Sequence, residues 1–363
     1  MKANYLVEHL GYDVFMTTTD HKEEQGVFYP LNSSVYHEDF GIGYNDADGF
    51  VAKLLSWNRK NREYKHKLTE FIRKHRIDIC ISVGWKEVDF LAELKPLCKV
   101  ICEWHFAQNS SLIYAQTRYR SRIFAHLVGN IQVRRLMKHT SQLDRLVVLT
   151  KEDECIWNRT HNNVCQIYNP SSYKTSVLSD LSSKRFISVG RLEYQKGFEY
   201  AIEAWKTVHA KHPEWSLDIY GNGSLGDELQ TKIDQSGLSG VVNLKGSTNE
   251  LHKEYQKSSG FLMSSRYEGF PMVLLEASSF GLPLVSFDCV SGPKEIIKNA
   301  HNGFLVDMYD VKGLAQSVSV IIENEEERRF MGRCSAEMIE CFSIDSIMEK
   351  WDALFKEIIH KGS

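Results

Sequence analysis

Two glutamates that bracket seven residues, Glu268 and Glu276, mark the part of this chain richest in possible chemistry. The stretch from Phe261 to Pro283 reads FLMSSRYEGFPMVLLEASSFGLP. Its pattern predicts a strand ending at Ser264–Ser265, a tight loop carrying Glu268, Gly269, Phe270 and Pro271, and a helix over Pro271–Phe280. Proline at a first helical position forfeits no hydrogen bond, because that N–H has no intrahelical partner. Gly281 closes the helix and Pro283 stops it. Such a helix aims its free amides and its positive dipole end above the sheet, where an anion such as a diphosphate is the natural guest. Glu268 falls in the mouth loop and Glu276 about one and a half turns into the helix. One glutamate alone is ordinarily a solvated surface carboxylate. Two around a Gly-Phe-Pro turn on a strand–loop–helix unit are harder to place by chance.

The elements that position this loop follow from an alternation of short apolar runs with longer amphipathic segments. The runs predict strands at Asp13–Thr17, Ile77–Val83, Lys99–Glu103, Arg145–Leu149, Arg185–Val189, Ser216–Tyr220, Val241–Leu244, Gly260–Met263 and Leu284–Phe287. Helices are predicted at Glu63–His75, Glu199–Lys211 and Glu228–Gln235, besides Pro271–Phe280. Strands and helices alternating at this spacing give parallel βαβ units and an α/β fold. At 363 residues the chain exceeds a single core. A boundary is visible at Tyr168–Ser183, where Asn169-Pro170 opens a turn and a serine-rich polar run follows. Residues 1–170 hold 23 basic and 20 acidic side chains, the remainder 21 and 27. Ile344–Ile359 carries its apolar residues at helical spacing and predicts a terminal amphipathic helix.

Composition narrows the class. An apolar fraction of 42% with 25% charged residues is that of a globular protein. A net charge of −3 argues against a dedicated nucleic-acid binder. No apolar run approaches a bilayer span, and Glu8 and His9 interrupt any secretory signal core, so the working class is soluble and cytoplasmic. The eight cysteines form no C-x-x-C pair; Cys80 and Cys102 sit in apolar runs and read as buried reduced thiols rather than zinc ligands.

The stretch from Glu268 to Glu276 resembles the Glu-x7-Glu motif of the retaining nucleotide-sugar glycosyltransferases of family GT4, which have the GT-B fold. Other segments are similar to further family elements: Ser188-Val-Gly-Arg191-Leu-Glu-Tyr-Gln-Lys196-Gly197, Ile219-Tyr-Gly-Asn-Gly, Ser291-Gly-Pro-Lys-Glu295-Ile-Ile and Asn302-Gly303-Phe-Leu-Val. The likeness is dense over residues 184–360 and loose over 60–170. It implies two Rossmann-like domains facing across a cleft: an acceptor-binding domain over 1–168, a linker at 169–183, a donor-binding domain over 184–343 and a final helix at 344–360 crossing back. By the same resemblance Arg191 and Lys196, with the helix start at Met272 and Val273, hold the donor diphosphate. Glu268, Gly269, Phe270 and Pro271 hold the donor sugar, and Glu276 accepts hydrogen bonds from both ribose hydroxyls. His105 falls where the family places a histidine that contacts the donor sugar or leaving group; by itself, a histidine after a buried strand is more often structural. The implied reaction moves a hexosyl group, with retention, from a UDP-sugar, or secondarily a GDP-sugar, to a glycan or lipid-linked acceptor in surface polysaccharide or lipopolysaccharide synthesis. No cofactor and no metal are expected; the family neutralises the leaving phosphate with such side chains, and no Asp-x-Asp pair occupies a plausible donor loop.

Other readings compete. Gly221-Asn-Gly223-Ser-Leu-Gly226 spells a dinucleotide fingerprint, yet the next strand ends Asn243-Leu-Lys245-Gly246 without the required acid, so a nicotinamide enzyme is rejected. A pyridoxal-phosphate phosphorylase of this architecture needs a much longer chain. The stretch from Arg118 to Lys138 holds six basic residues and no acid; it reads either as a solvated helix face or as a face resting on an anionic membrane at the inner side of the plasma membrane. Lys2–Val14 looks like the second half of the family's first helix and the strand after it, which implies a chain lacking the opening strand and glycine-rich loop. A doubly wound sheet needs that strand near its centre. The alternative function is therefore a poorly active or non-catalytic nucleotide- or sugar-binding protein.

Overall fold

The computed structural model describes residues 1–20, 30–44, 50–84, 86–108 and 121–360, without the side chains of 50–55 and 122. Arg118 and Arg120 of the basic stretch lie outside the described residues. The chain divides into two compact units: Met1–Val148, Glu154–Ile167 and Met348–Ser363 make the first, Leu149–Asp153 and Tyr168–Ile347 the second.

The first unit runs α1 (Lys2–Glu8), β1 (Phe15–Thr18), β2 (Tyr36–Asp39), α2 (Phe50–His75), β3 (Ile79–Ser82), β4 (Lys99–Trp104), α3 (Arg122–Thr140), β5 (Arg145–Val148), α4 (Lys151–Trp157) and β6 (Val164–Gln166). Strands β3-β4-β5-β6 form one parallel sheet, and β1 pairs with β2, also parallel, in a separate one. Among the described residues no ladder joins β1 to β3. The core packs Phe71, Leu91, Leu94, Val100, Cys102, Leu146 and Trp157 beneath the larger sheet.

The second unit carries β7 (Arg185–Val189), α5 (Phe198–Lys211), β8 (Ser216–Tyr220), α6 (Gly226–Gln235), β9 (Val242–Gly246), α7 (Leu251–Gln256), β10 (Gly260–Met263), α8 (Met272–Ser279), β11 (Leu284–Phe287), α9 (Pro293–Ile296), β12 (Gly303–Val306), α10 (Val311–Glu323), α11 (Glu325–Met338) and the start of α12 (Ile344–His360). Its six strands are all parallel, in the order β12-β11-β10-β7-β8-β9. Both faces of the sheet are covered, which is why the central strands read as unbroken apolar runs. Phe186, Trp205, Leu217 and Ile219 fill one side, Ile187, Phe261, Leu274 and Phe280 the other. The chain lays down β7, β8 and β9 outward, then returns to place β10 on the far side of β7. The loops after β7 and β10 therefore part at a topological switch point, where open α/β sheets bind ligands.

From Met348 onward α12 belongs to the first unit. Ile347, Met348, Trp351, Leu354, Phe355 and Ile358 are buried along it. Asp352 accepts from the Tyr12 hydroxyl at 2.7 Å, and the Lys2 ammonium sits 3.7 Å over the Trp351 ring.

Several boundaries differ from the sequence reading. Helix α8 begins at Met272, one residue late, because Pro271 has ψ 88° and serves as its N-cap. Helix α2 starts at Phe50 rather than Glu63, while β1 and β9 begin two residues and one residue late. Strands β2, β6 and β12 are additional.

The Gly221–Gly226 fingerprint has a packing role. A Cβ on Gly221 would lie 2.0 Å from the Gly190 carbonyl oxygen, and one on Gly223 would lie 2.3 Å from that of Leu192. The loops after β7 and β8 bond backbone to backbone there, Gly190 N–H to Tyr220 and Leu192 N–H to Asn222 at 2.9 and 3.0 Å. Gly226 is different, since its Cβ would meet only the Leu192 methyl at 3.7 Å. Gly223→Ala is expected to destabilise by about 1–3 kcal/mol through overpacking. Gly226→Ala, at the start of α6, is expected to be neutral or to stabilise by up to about 1 kcal/mol. Urea unfolding of both variants measures the difference.

Candidate functional site

The loops after β7 and β10 are sewn together by hydrogen bonds to their backbone carbonyls. The Arg266 N–H donates to the Gln195 carbonyl at 2.8 Å, the Gln195 side-chain amide to the Tyr267 carbonyl at 3.0 Å, and the Ser264 hydroxyl to the Lys196 carbonyl at 3.2 Å. Gly197 makes the approach possible: its φ is +59°, and a Cβ there would stand 2.4 Å from the Ser264 carbonyl oxygen. Arg266 adds an ion pair to Glu199 and stacks 3.8 Å above the Tyr194 ring.

On this frame Lys196 and Glu268 meet at 2.7 Å, with only 15% and 7% of their side chains exposed. A carboxylate and an ammonium this deep are stable only when paired. Arg191 is exposed on the same β7 loop. Neighbouring Glu193 accepts from both the amide and the hydroxyl of Ser224 at 2.9 Å, which fastens the loop on its other side.

Gly269, Phe270 and Pro271 lead into α8. The Leu274 N–H bonds to the Pro271 carbonyl at 2.9 Å, and among the described residues no acceptor meets the amides of Met272 and Val273 ahead of it. These two donors are free for an anion. Glu276 lies half-buried on the same helix and accepts from the Tyr255 hydroxyl at 3.0 Å. Burial pushes its carboxyl above the ordinary glutamate value, opposed by hydrogen bonds from Tyr255 and Ser172 and by the Lys196 charge. No local pattern marked Tyr255, which reaches Glu276 from α7 and is itself fully buried.

A second layer comes from the Ser291–Glu295 motif. The buried Ser291 hydroxyl contacts the Asp153 carboxylate at 2.5 Å and the Gly269 carbonyl at 3.1 Å, while Asp153 also accepts from the Thr150 hydroxyl at 2.8 Å. Glu295 accepts from the Lys151 amide at 2.7 Å and from the Tyr168 hydroxyl at 2.6 Å. Tyr168 in turn stacks on Phe270, centroid to centroid 5.5 Å. Gly269 and Phe270 are therefore each held by one end of the motif. The motif was visible in the sequence; its partners Thr150, Asp153 and Tyr168 were not, because they come from distant segments.

Arg191, Lys196, Glu268–Val273 and Glu276 thus all lie on the loops after β7 and β10 or on α8 of the second unit. His105 belongs to the first unit, one residue past β4. There its Nε2 lies 3.4 Å from the buried Glu103 carboxylate, which also pairs with Lys2. Burial alone would raise Glu103; the Lys2 and His105 interactions outweigh it and hold the carboxyl down at about 2.

Ser291 has φ +62° and is buried. Ser291→Ala keeps that backbone strain and removes the hydroxyl from Asp153, so it is expected to cost about 1–3 kcal/mol in urea unfolding. Ser291→Gly loses the same bonds but relieves the strain, and is expected to cost less by roughly 1 kcal/mol.

Residues 172–338 match the family model described as glycosyl transferases group 1. A Haemophilus influenzae protein described as an uncharacterized glycosyltransferase is 32% identical over 282 residues, covering 75% of this chain and 80% of that one. The amylovoran biosynthesis glycosyltransferase AmsD of Erwinia amylovora is 31% identical over 218 residues, 58% of this chain and 61% of AmsD. Among solved structures, sucrose-phosphate synthase from Thermosynechococcus elongatus superposes with a TM-score of 0.82 at 16% identity, over 99% of this chain and 92% of that one. Anabaena HepE in complex with UDP gives 0.71 at 16% identity, over 89% and 87%. The matched relatives and the shared parallel-sheet architecture together show that this chain belongs to the group 1 glycosyltransferases and has the GT-B fold.

Proposed function

We propose that this chain transfers a hexosyl group from a nucleotide-diphosphate sugar, UDP first and GDP second, to a glycan or lipid-linked acceptor with retention of anomeric configuration. The observation that carries the reading is the Lys196–Glu268 pair beside the free amides of α8, at the switch point of the second unit's sheet. The crystallised complex of HepE with UDP and the amylovoran role in AmsD's name support the nucleotide and the acceptor class.

In the reaction the bond from the anomeric carbon to the diphosphate breaks, a bond to the acceptor oxygen forms, and the acceptor proton leaves with the diphosphate. Charge builds on the departing phosphate, so donors preorganised towards it lower the barrier most. Lys196 has three N–H donors, and Glu268 engages it through one close contact, so others remain for a phosphate oxygen. The Met272 and Val273 amides and the Arg191 fork supply further donors. Among the described residues the second oxygen of Glu268 receives only a distant 3.5 Å contact, from Gln195, and keeps lone pairs for sugar hydroxyls. Glu276, steadied by Tyr255, accepts from the ribose hydroxyls. His105, held by Glu103, contacts the donor sugar or the leaving group.

Nucleotide release from UDP- and GDP-sugars in the presence of acceptor tests the proposal. Lys196→Ala and Glu276→Ala are each expected to slow release by about 10²–10³-fold, the scale for losing one such stabilising contact, and EDTA is expected to leave the rate unchanged. Because Lys196→Ala strands a buried carboxylate, unfolding of each variant is followed in parallel. Equal release by the wild type and both folded variants would overturn the site assignment.

The raised carboxyl of Glu276 gives a second expectation. Ribose recognition needs the carboxylate, so UDP-sugar affinity falls as pH drops through a midpoint above the ordinary glutamate value. Tyr255→Phe removes a hydrogen bond that favours the charged form, which moves that midpoint higher still. Calorimetric titration of a UDP-sugar across pH measures both midpoints; an unmoved midpoint in Tyr255→Phe refutes the coupling.

A further inference from the structure

Two tyrosines at the carboxyl end of the second unit's sheet hold their rings largely in water. Tyr194, after β7, is 50% exposed, and Tyr309, after β12, is 57% exposed. A chain of stacked groups joins them. The Arg266 guanidinium lies 3.8 Å from the Tyr194 ring and 4.8 Å from that of Tyr200, on the first turn of α5. Tyr200 meets Tyr309 edge to face, with centroids 5.6 Å apart. Both pack on the buried Phe287 ring at the end of β11, at 5.8 and 6.5 Å. Arg266 is fixed by its ion pair with Glu199, by a bond to the Tyr200 hydroxyl at 3.2 Å and by a bond to the Tyr194 carbonyl. With one face against this arginine, Tyr194 turns the other to solvent.

Covering Arg266 and Phe287 accounts for neither ring. Tyr200 already lies over both, and does so half-buried. Tyr309 also stands in the left-handed region, at φ +68°. A side chain there costs about 1–2 kcal/mol that glycine would be spared, and for a bulky residue the conformation is an outlier. A tight turn imposes it. The Val311 N–H bonds to the Tyr309 carbonyl at 2.9 Å, the Asp310 N–H to the Asp307 carbonyl at 3.0 Å, and the Asp310 side chain caps α10. Strain kept beneath a ring that stands mostly in water points to what the ring presents.

We propose that Tyr194 and Tyr309 form a carbohydrate-binding platform on which pyranose rings of a glycan chain stack. A pyranose offers a flat face of C–H groups with hydroxyls around its rim. Stacked on an aromatic ring, it buries that face and leaves the rim hydrated, which suits a tyrosine with an apolar body and a wet hydroxyl. Tyrosine supplies such contact area at little ordering cost, and here its base is already rigid. The occupant follows from place. Tyr194 is two residues ahead of Lys196 on one loop and Arg266 two ahead of Glu268 on the other, so the platform begins where the candidate donor site ends. The chain belongs to the glycosyltransferases, and the polymer at hand there is a glycan. A single-stranded nucleic acid also stacks on aromatic rings but needs free cations beside them, and Arg266 is engaged by Glu199. The glycan's role as acceptor rests on the proposed transfer; its binding does not.

Titration with maltohexaose and with cellohexaose, in the absence of any nucleotide sugar, tests the platform. Stacking reads the ring rather than one hydroxyl pattern, so glucans of either linkage serve as probes. With the tyrosine rings isotopically labelled, the magnetic resonance signals of Tyr194 and Tyr309 are expected to shift and saturate. Tyr194→Leu keeps a cover over Arg266 without an aromatic face, and Tyr309→Gly removes the strain together with the ring. Each is expected to weaken binding by about fivefold or more, and urea unfolding checks that both remain folded. No saturable shift with either glucan overturns the proposal, as does binding that both folded variants keep at wild-type strength. A wild-type dimer that the variants turn into a monomer overturns it too, since the rings would then serve a second copy. Because no donor is present, failure here is separate from failure of the nucleotide-release test.

Discussion

The second unit is organised around one constraint: Lys196 and Glu268 must find each other almost out of water. An unpaired charge at either position would cost several kcal/mol, and the attraction between them repays desolvation only in good geometry. The pair is thus less a source of stability than a demand on the two loops that carry it. The sheet meets that demand by making β7 and β10 neighbours, and their loops meet it with a backbone bond from Arg266 to Gln195. Gly197 at φ +59° is the position where the demand becomes visible as residue choice, because a side chain there would drive the loops apart.

Around this centre lie successive braces, each from a different segment. Gly221 and Gly223 let the β8 loop press on the β7 loop. Ser291 and Glu295 fix the backbone of Gly269 and the ring of Phe270 from the far side. Tyr255 fixes Glu276 from beneath. The consequence is a site whose polar atoms hold their places through rigid neighbours, which is what stabilising a developing charge requires. Loops that had to reorganise as the charge formed would give back much of that gain.

Much of this was legible in the sequence, and the parts that were not share a reason. β7, β8, β10 and β11 lie where the apolar runs place them, because a strand buried on both faces leaves an unambiguous run. β2, Tyr36–Asp39, is mostly polar and is recognisable only by its pairing with β1. β12 lies inside the Asn302-Gly303 segment, which stood out as a motif and not as a strand. Local patterns singled out Arg191, Lys196, Glu268 and Glu276, which the fold places on the loops after β7 and β10 and on α8. Tyr255, Asp153 and Thr150 escaped because their role exists only as a contact across tens of residues or more. The fingerprint glycines carry the opposite lesson: a motif that spells a ligand site locally, and was rejected as one for want of an acid, lets two backbones approach each other.

The same distinction governs charge. The segment from residue 171 onward holds 21 basic and 27 acidic side chains, so its overall field repels anions, the diphosphate of the proposed donor among them. Attraction there must come from short-range contacts, an ammonium and amides at hydrogen-bond distance in a partly dry site, where screening by salt is weak. Helix α3 works the other way. Arg135 is paired with Asp89, but Arg134 and Lys138 lie exposed in a sequence run without acids, so any pull they exert is long-ranged and open to screening. A near-neutral total therefore joins two kinds of electrostatics: one set by geometry at the ends of β7 and β10, the other by the absence of acid over forty residues.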